Sequence, residues 1–293
     1  MAQILQKHFT EWKIYYMFEK IGKLETDPNK KMNQEVPKNQ HEIWKKTWGE
    51  SYVIKDCLSH DDLEWLTDLM YRRHHKRRVR ECGTLHYWVD NETIQLKFYD
   101  KLKEHIPELD ANSPWEGNYV ITSTPYNLHI DTGRADWVMK KECIPGKQLV
   151  IPLFACHINK EFKGTDKIPP CGIATFKNRF IRYGTNFSKT SEKYETDVFD
   201  TVCNYNTLEC FNVDGSKWEV DWNKPFDSKL REKYFTHYKK EWLDGFELEN
   251  IFNYNRGDVI VFDRSQAHSG IDFMKYQITM KGMLSLMTTI SHV

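Results

Sequence analysis

From Trp115 onward the chain is written in short β-type runs separated by turn residues, and this texture constrains the fold more than any other feature. The runs are residues 117–130 (GNYVITSTPYNLHI), 147–158 (KQLVIPLFACHI), 171–184 (CGIATFKNRFIRYG), 257–264 (GDVIVFDR) and 282–290 (GMLSLMTTI). Short strands at uneven spacing after a helical start predict helices packed on an antiparallel barrel or sandwich, mostly β with added helices.

The helical start is legible in its own terms. In residues 51–70 (SYVIKDCLSHDDLEWLTDLM) a β-branched run gives way to Ser59 as an N-cap, Asp61 and Asp62 in a first turn, and Leu63, Leu66 and Met70 on one face. That pattern predicts a strand followed by a helix. A second helix is expected from a cap at Asp90 or Asn91 through Ile106, with Ile94, Phe98, Leu102 and Ile106 on one stripe. The basic run 71–81 (YRRHHKRRVRE) is expected at the C-terminal end of the first helix, where it suits the dipole and offers a weaker candidate for a phosphate-bearing partner.

Residues 24–42 are polar, carry two prolines and predict a connector, so residues 1–50 are expected to form an N-terminal arm and polar connector ahead of a domain over 51–293. Residues 184–250 break the strand pattern with an aromatic, charged segment that includes a predicted helix (DSKLREKYFTHYKKEWL), too long for a plain loop and expected as a structured insertion. Its Trp218, Trp222, Tyr234 and Trp242 suit a core better than a lid.

Composition excludes several classes. The 42 basic and 42 acidic residues cancel, which argues against binding nucleic acid or anionic membrane by bulk charge. No apolar run approaches a bilayer span, and the first twenty residues lack the apolar core of a signal peptide. Seven scattered cysteines without a Cys-x-x-Cys pair indicate neither a disulfide framework nor a zinc ribbon. A soluble protein of the reducing cytoplasm is expected.

Two His-x-Asp tripeptides occur. His60-Asp61-Asp62 follows Ser59 at the predicted helix start, where acidic residues offset the dipole and need no metal. His129 and Asp131 instead end a β-type run, and side chains two apart on a strand project to one face. A third ligand is then expected from another strand, and His268, just after the apolar run Val259 to Phe262, supplies it. Two histidines and one carboxylate on a β-scaffold form the facial triad of non-haem Fe(II) oxygenases. The ligand types alone leave zinc open.

With these residues in place the chain resembles the Fe(II)- and 2-oxoglutarate-dependent oxygenases, of the lysine-anchored prolyl-4-hydroxylase-like or phytanoyl-CoA-hydroxylase-like kind. Members carry His-x-Asp on an early strand and the second histidine on a late one, and many precede the latter with a Gly-Asp turn and a strand ending in phenylalanine, as in Gly257-Asp258 and Val259 to Phe262. The resemblance covers residues 115–289 and, through the strand-then-helix lead-in, reaches back to about Ser51. It implies a double-stranded β-helix, a cupin-like jelly-roll barrel with N-terminal helical support. The 138 residues between the histidines are long for a minimal barrel, and the insertion at 184–250 accounts for the excess.

The resemblance also implies Fe(II), 2-oxoglutarate and O2 as cofactor and co-substrates, with His129, Asp131 and His268 as metal ligands and a cation for the distal carboxylate of 2-oxoglutarate. Lys281 lies thirteen residues beyond His268, and strand alternation points Lys281, Met283 and Ser285 together into the barrel, so Lys281 and Ser285 are the expected co-substrate residues. Lys147, ahead of QLVIPLF, is the rival anchor. A lysine rather than the commoner arginine forgoes bidentate binding. Arg134 and Arg264 flank the predicted metal and are expected to orient an anionic substrate. The implied activity is an oxidoreductase that hydroxylates a small molecule or peptide with release of succinate and CO2; a nucleic acid is the less favoured substrate. The alternative is a non-catalytic or zinc-binding cupin-like β-barrel acting as a binding module.

Overall fold

The computed structural model describes residue 36 and residues 38–72, 77–80, 84–88, 91–132, 143–157, 167–182, 185–188 and 201–291. The chain begins with α1 (Lys38–Trp44), β1 (Tyr52–Ile54), α2 (His60–Arg72), β2 (Arg77–Arg80), β3 (Thr84–Trp88) and α3 (Asn91–Lys103). β4 (Glu116–Thr122), β5 (His129–Ile130), β6 (Cys143–His157) and β7 (Lys167–Phe180) follow. Next come β8 (Thr185–Ser188), β9 (Thr201–Asn204), β10 (Cys210–Phe211), β11 (Lys217–Trp218) and α4 (Ser228–Tyr234). β12 (Leu248–Asn255), β13 (Val259–Asp263), β14 (Gln266–Gly270) and β15 (Ile278–Ser291) complete it.

These strands make two sheets. One runs β1-β13-β6-β15-β4-β3-β2, the other β11-β10-β7-β14-β5-β8-β9 with β12 also on β7. All pairings are antiparallel except β8 with β9. From β4 to β7, and again from β12 to β15, successive strands alternate between the sheets. The mostly-β architecture with added helices expected from the sequence is therefore present.

Strand alternation explains how an unbroken apolar run is accommodated. In β13 Val259 and Val261 face one core cluster while Ile260 and Phe262 face another. The first cluster lies under α2 and α3, where Leu63, Leu66, Met70, Ile94, Phe98 and Leu102 meet Tyr119, Leu149 and Leu284. The second lies between the sheets and contains Val120, Val150, Ile173, Tyr254, Phe262, Phe273 and Met283. A strand buried on both faces needs no polar alternation. Each such side chain, fully buried, contributes about 1.5–3 kcal/mol.

The second sheet's other face is covered by the segment after β9. Tyr205, Phe235, Trp242 and Phe246 pack there on Phe176, Phe180, Leu128 and Ile130, with Trp218, Trp222 and Tyr234 against them. The aromatics of 184–250 thus serve as core.

The expected start of α2 holds: Asp62 N donates to Ser59 Oγ at 3.2 Å and Ser59 N to Asp62 Oδ2 at 3.0 Å, a reciprocal cap. Asp62 also takes the Lys101 ammonium at 2.7 Å, which gives the first His-x-Asp a structural role. Two expectations are corrected. The basic run does not lie wholly at a helix end, because α2 stops at Arg72 and Arg77–Arg80 pairs with β3. The connector is not all loop either: α1 starts at Lys38, and Val36 and Trp44 pack on Ile144, an apolar anchor that the polar window around them hides.

Candidate metal centre

β5 and β14 are neighbours, and His129 and His268 stand directly opposite each other in that pairing. Along β5, Leu128 and Ile130 belong to the outer cluster, so His129 between them turns inward, as strand alternation requires. Asp131 continues past the strand with its backbone bound both ways to Arg264: Asp131 N donates to Arg264 O at 2.9 Å, and Arg264 Nε donates to Asp131 O at 2.8 Å.

The three side chains converge. His268 Nε2 lies 3.2 Å from Asp131 Oδ2, His129 Nε2 lies 3.7 Å from Asp131 Oδ1, and the imidazole centroids are 4.1 Å apart. One ligand atom from each fits within 4.8 Å of the others, a group able to hold a metal ion. Each histidine is oriented from its far side: His129 Nδ1 donates to Asn127 O at 2.6 Å and His268 Nδ1 to Gln266 O at 3.0 Å. A carbonyl only accepts, so each Nδ1 carries the hydrogen, and in the neutral ring Nε2 is a lone pair. With both rings neutral, two lone pairs and a carboxylate face one another, an arrangement that favours a cation among them. This is the donor set and the outer support of a metal site.

Burial raises the Asp131 carboxyl, but the charges of His268 and His129 when protonated, the hydrogen bond that a protonated His268 gives and the Arg264 guanidinium outweigh it and hold the group well below the usual carboxylate range. With both rings neutral, a bound cation would take over that role. Phe262 closes one side, its ring 4.5 Å from His268, and Tyr126 lies 5.5 Å from His129.

The remaining predicted residues divide. Lys281 is buried, with Nζ 3.3 Å from Gly172 O and 4.3 Å and 5.2 Å from the rings of Tyr254 and Phe273. Among the described residues it has no carboxylate partner. Burial pushes its ammonium down, with Cys171 acting weakly the other way. Lys147 is buried too, but its Nζ is 2.7 Å from Asp263 Oδ1. Arg179 Nε donates to the other Asp263 oxygen at 2.8 Å. Ser285 Oγ accepts from Gln148 Nε2 at 2.6 Å. Arg264 is fully buried and donates to the carbonyls of Asp131 and, at 3.0 Å, Thr288, which steadies the ligand strand. Arg134 lies outside the described residues.

Sequence reasoning missed the carbonyls of Asn127 and Gln266, although a constant offset of two residues before each histidine was available as a signal. It also missed Tyr254 and Phe273 beside Lys281, which come from β12 and the segment after β14 and carry no motif.

No family model matches the chain, and no curated relative matches it. Solved structures do. A prolyl-4-hydroxylase of Pseudomonas putida is 10% identical with a TM-score of 0.38, covering 85% of this chain and 97% of its own. SnoN, a non-haem α-ketoglutarate-dependent epimerase from nogalamycin biosynthesis, is 11% identical at 0.40, covering 86% and 84%. HygX of Streptomyces hygroscopicus, solved with nickel, 2-oxoglutarate and hygromycin B, is 11% identical at 0.40, covering 87% and 88%. Likeness at this level carries no residue role across. No helix among the described residues is long and apolar enough to cross a membrane.

Proposed function

We propose that the chain is an Fe(II)- and 2-oxoglutarate-dependent dioxygenase on a double-stranded β-helix, hydroxylating a small molecule or peptide with release of succinate and CO2. The domain would span residues 51–293, with the helical segment after β9 as an insertion. His129, Asp131 and His268 would hold the iron, and Lys281 the distal carboxylate of the co-substrate. Iron with 2-oxoglutarate and O2 supplies the oxidising equivalents for substrate C–H hydroxylation.

The observation that carries this reading is the pairing of the triad with Lys281. A buried ammonium that among the described residues meets a carbonyl and two ring faces is costly, and a ligand carboxylate offsets that cost. A zinc hydrolase or a binding barrel has no use for a diacid anchor. Lys147 already has Asp263, which leaves Lys281 as the better anchor.

The chain's own groups do the rest. The Asn127 and Gln266 carbonyls fix both imidazoles with Nε2 toward the ion, and Arg264 holds the Asp131 backbone. Phe262, Tyr254 and Met283 make the surroundings apolar, which strengthens each electrostatic contact within. The test is succinate formation from 2-oxoglutarate with Fe(II) and O2, screened against pools of amino acids, peptides, sugars and nucleosides. Succinate dependent on iron and stimulated by one pool supports the reading. Stoichiometric metal without any 2-oxoglutarate turnover contradicts it.

A further inference from the structure

The first sheet carries a row of neutral hydrogen-bonding side chains on its inner face. Along β4, β15 and β6, Tyr119, Leu284 and Leu149 face the core under the helices, while Val120, Met283 and Val150 face the space between the sheets. Alternation turns Asn118, Ser285 and Gln148 to that inner side as well. Ser285 stands opposite Asn118 in the β4 pairing, and Gln148 Nε2 donates to Ser285 Oγ at 2.6 Å. On its other side Gln148 stands opposite Phe262 of β13, whose ring is 4.5 Å from that of the ligand His268. The row therefore crosses three adjacent strands and ends beside the candidate metal centre.

Gln148 is fully buried, and its Oε1 has no hydrogen-bond partner among the described residues. A native core rarely leaves a buried amide atom unmet without a use for it. Turning the amide over does not remove the deficit. As placed, Oε1 is left to accept and the Ser285 hydroxyl to donate; turned, Nε2 is left to donate and Ser285 Oγ to accept. Either way the pair presents one donor and one acceptor. Ser285 and Asn118 are half-buried, so the row opens at their end and is sealed at Gln148. Arg264, a cation of this region, is engaged by the Asp131 and Thr288 carbonyls, so the row suits a neutral group better than an anion. Four residues of strand, about 13 Å, separate Ser285 from Lys281, more than a five-carbon diacid spans.

We propose that Gln148, Ser285 and Asn118 form a substrate subsite beside the metal, which takes a neutral group that both donates and accepts a hydrogen bond, a carboxamide or a hydroxyl. This rests on the proposed 2-oxoglutarate function, gives its substrate a chemical class, and moves Ser285 from the co-substrate to the substrate. The half-open Asn118 and Ser285 admit the group, and the sealed Gln148 amide selects it. A group that only accepts leaves one of the two free positions unmet, which is how a buried polar site rejects an isostere.

The test loads the protein with Mn(II) and 2-oxoglutarate and measures how strongly the ion relaxes the methyl protons of three small probes: propionamide, propan-1-ol and butan-2-one. The ketone has the shape of propionamide but only accepts. Propionamide or propan-1-ol is expected to be relaxed about two- to tenfold more than butan-2-one, the scale of one net hydrogen bond, and the more strongly relaxed of the two names the group. Gln148→Leu, of similar volume, and Ser285→Ala should each abolish that preference and leave 2-oxoglutarate affinity in calorimetry unchanged. Asn118→Ala should reduce it. Should Gln148→Leu not fold, Ser285→Ala, at a half-buried position, decides alone. Equal relaxation of the three probes in the unaltered protein, or a preference that survives Ser285→Ala, overturns the proposal. Ser285→Ala that weakens 2-oxoglutarate and keeps the probe preference returns Ser285 to the co-substrate and overturns it too. If the unaltered protein binds Mn(II) but no 2-oxoglutarate, the 2-oxoglutarate reading falls and this inference with it.

Discussion

His129 and His268 occupy directly opposed positions on antiparallel strands, their ring centroids 4.1 Å apart, although 138 residues separate them along the chain. Each is tied through Nδ1 to the carbonyl two residues before it, so both Nε2 atoms face the Asp131 carboxylate. Substituting any of the three by alanine should lower Mn(II) or Fe(II) affinity at least a hundredfold while the far-ultraviolet circular dichroism stays native, because the fold's core lies elsewhere. Metal affinity unchanged in any one variant removes that residue from the site. His60→Ala should leave metal binding intact.

Arg264 acts on the metal through Asp131. Its guanidinium donates to the Asp131 and Thr288 carbonyls. Arg264→Met should weaken metal binding by about 10- to 100-fold, the usual effect of removing a group that orients a ligand. Metal titration by calorimetry checks this. A variant with normal metal affinity but altered substrate selection would return Arg264 to a substrate-binding role.

The two lysines should separate cleanly. Lys147→Met breaks a buried ion pair with Asp263 and leaves that carboxylate, among the described residues, to Arg179 and the Gly49 N–H, so it should cost about 3–5 kcal/mol of stability in urea unfolding. Its effect on 2-oxoglutarate affinity in the folded protein should be small. Lys281→Met has no such pair to break, and its main effect should be on the diacid. If Lys147→Met instead abolishes 2-oxoglutarate binding without loss of stability, the anchor belongs to β6.

Burial pushes the Lys281 ammonium below the usual lysine value of 10.5. Since only the charged form pairs with a carboxylate, 2-oxoglutarate affinity should fall as pH rises through this lowered value, earlier than an ordinary lysine would dictate. Lys281→Arg, which stays charged, should shift or remove that fall. Affinity measured across alkaline pH decides it, and an identical profile in both proteins contradicts the assignment.

Asp62 provides a purely structural pH response. Burial alone would raise its carboxyl, but the bonds from Lys101 and Ser59 lower it to about 2 from an ordinary 3.8. A carboxyl lower in the folded state than in the unfolded one contributes stability above the unfolded value and loses it as pH falls through the folded one. Asp62→Asn should therefore cost on the order of 1–2 kcal/mol at neutral pH and progressively less between about pH 4 and pH 2. An acid unfolding curve that does not converge with that of the unaltered protein would contradict this.

The sequence carried the triad because strand chemistry writes it locally: alternation places His129 and Asp131 on one side, and Val259 to Phe262 announces the strand before His268. The capped start of α2 was legible for the same reason. What escaped depends on contacts distant in sequence. The strand β14, whose five residues are all buried and mostly polar, has no apolar signature, and Arg77–Arg80 is strand only through its pairing with β3. The burial of Arg264 follows from carbonyls supplied by two separate segments. The choice between Lys147 and Lys281 turns on Asp263, which pairs in register with Lys147 across two strands.

In the proposed function the triad and Lys281 serve one ligand pair, iron and 2-oxoglutarate. Its most direct measurement is the visible absorption of the Fe(II) protein as 2-oxoglutarate is added without oxygen. A weak metal-to-ligand charge-transfer band is expected that saturates with the diacid, disappears in His268→Ala, and in Lys281→Met requires on the order of a hundredfold more 2-oxoglutarate. A protein that binds Fe(II) stoichiometrically yet develops no band at saturating 2-oxoglutarate would contradict it.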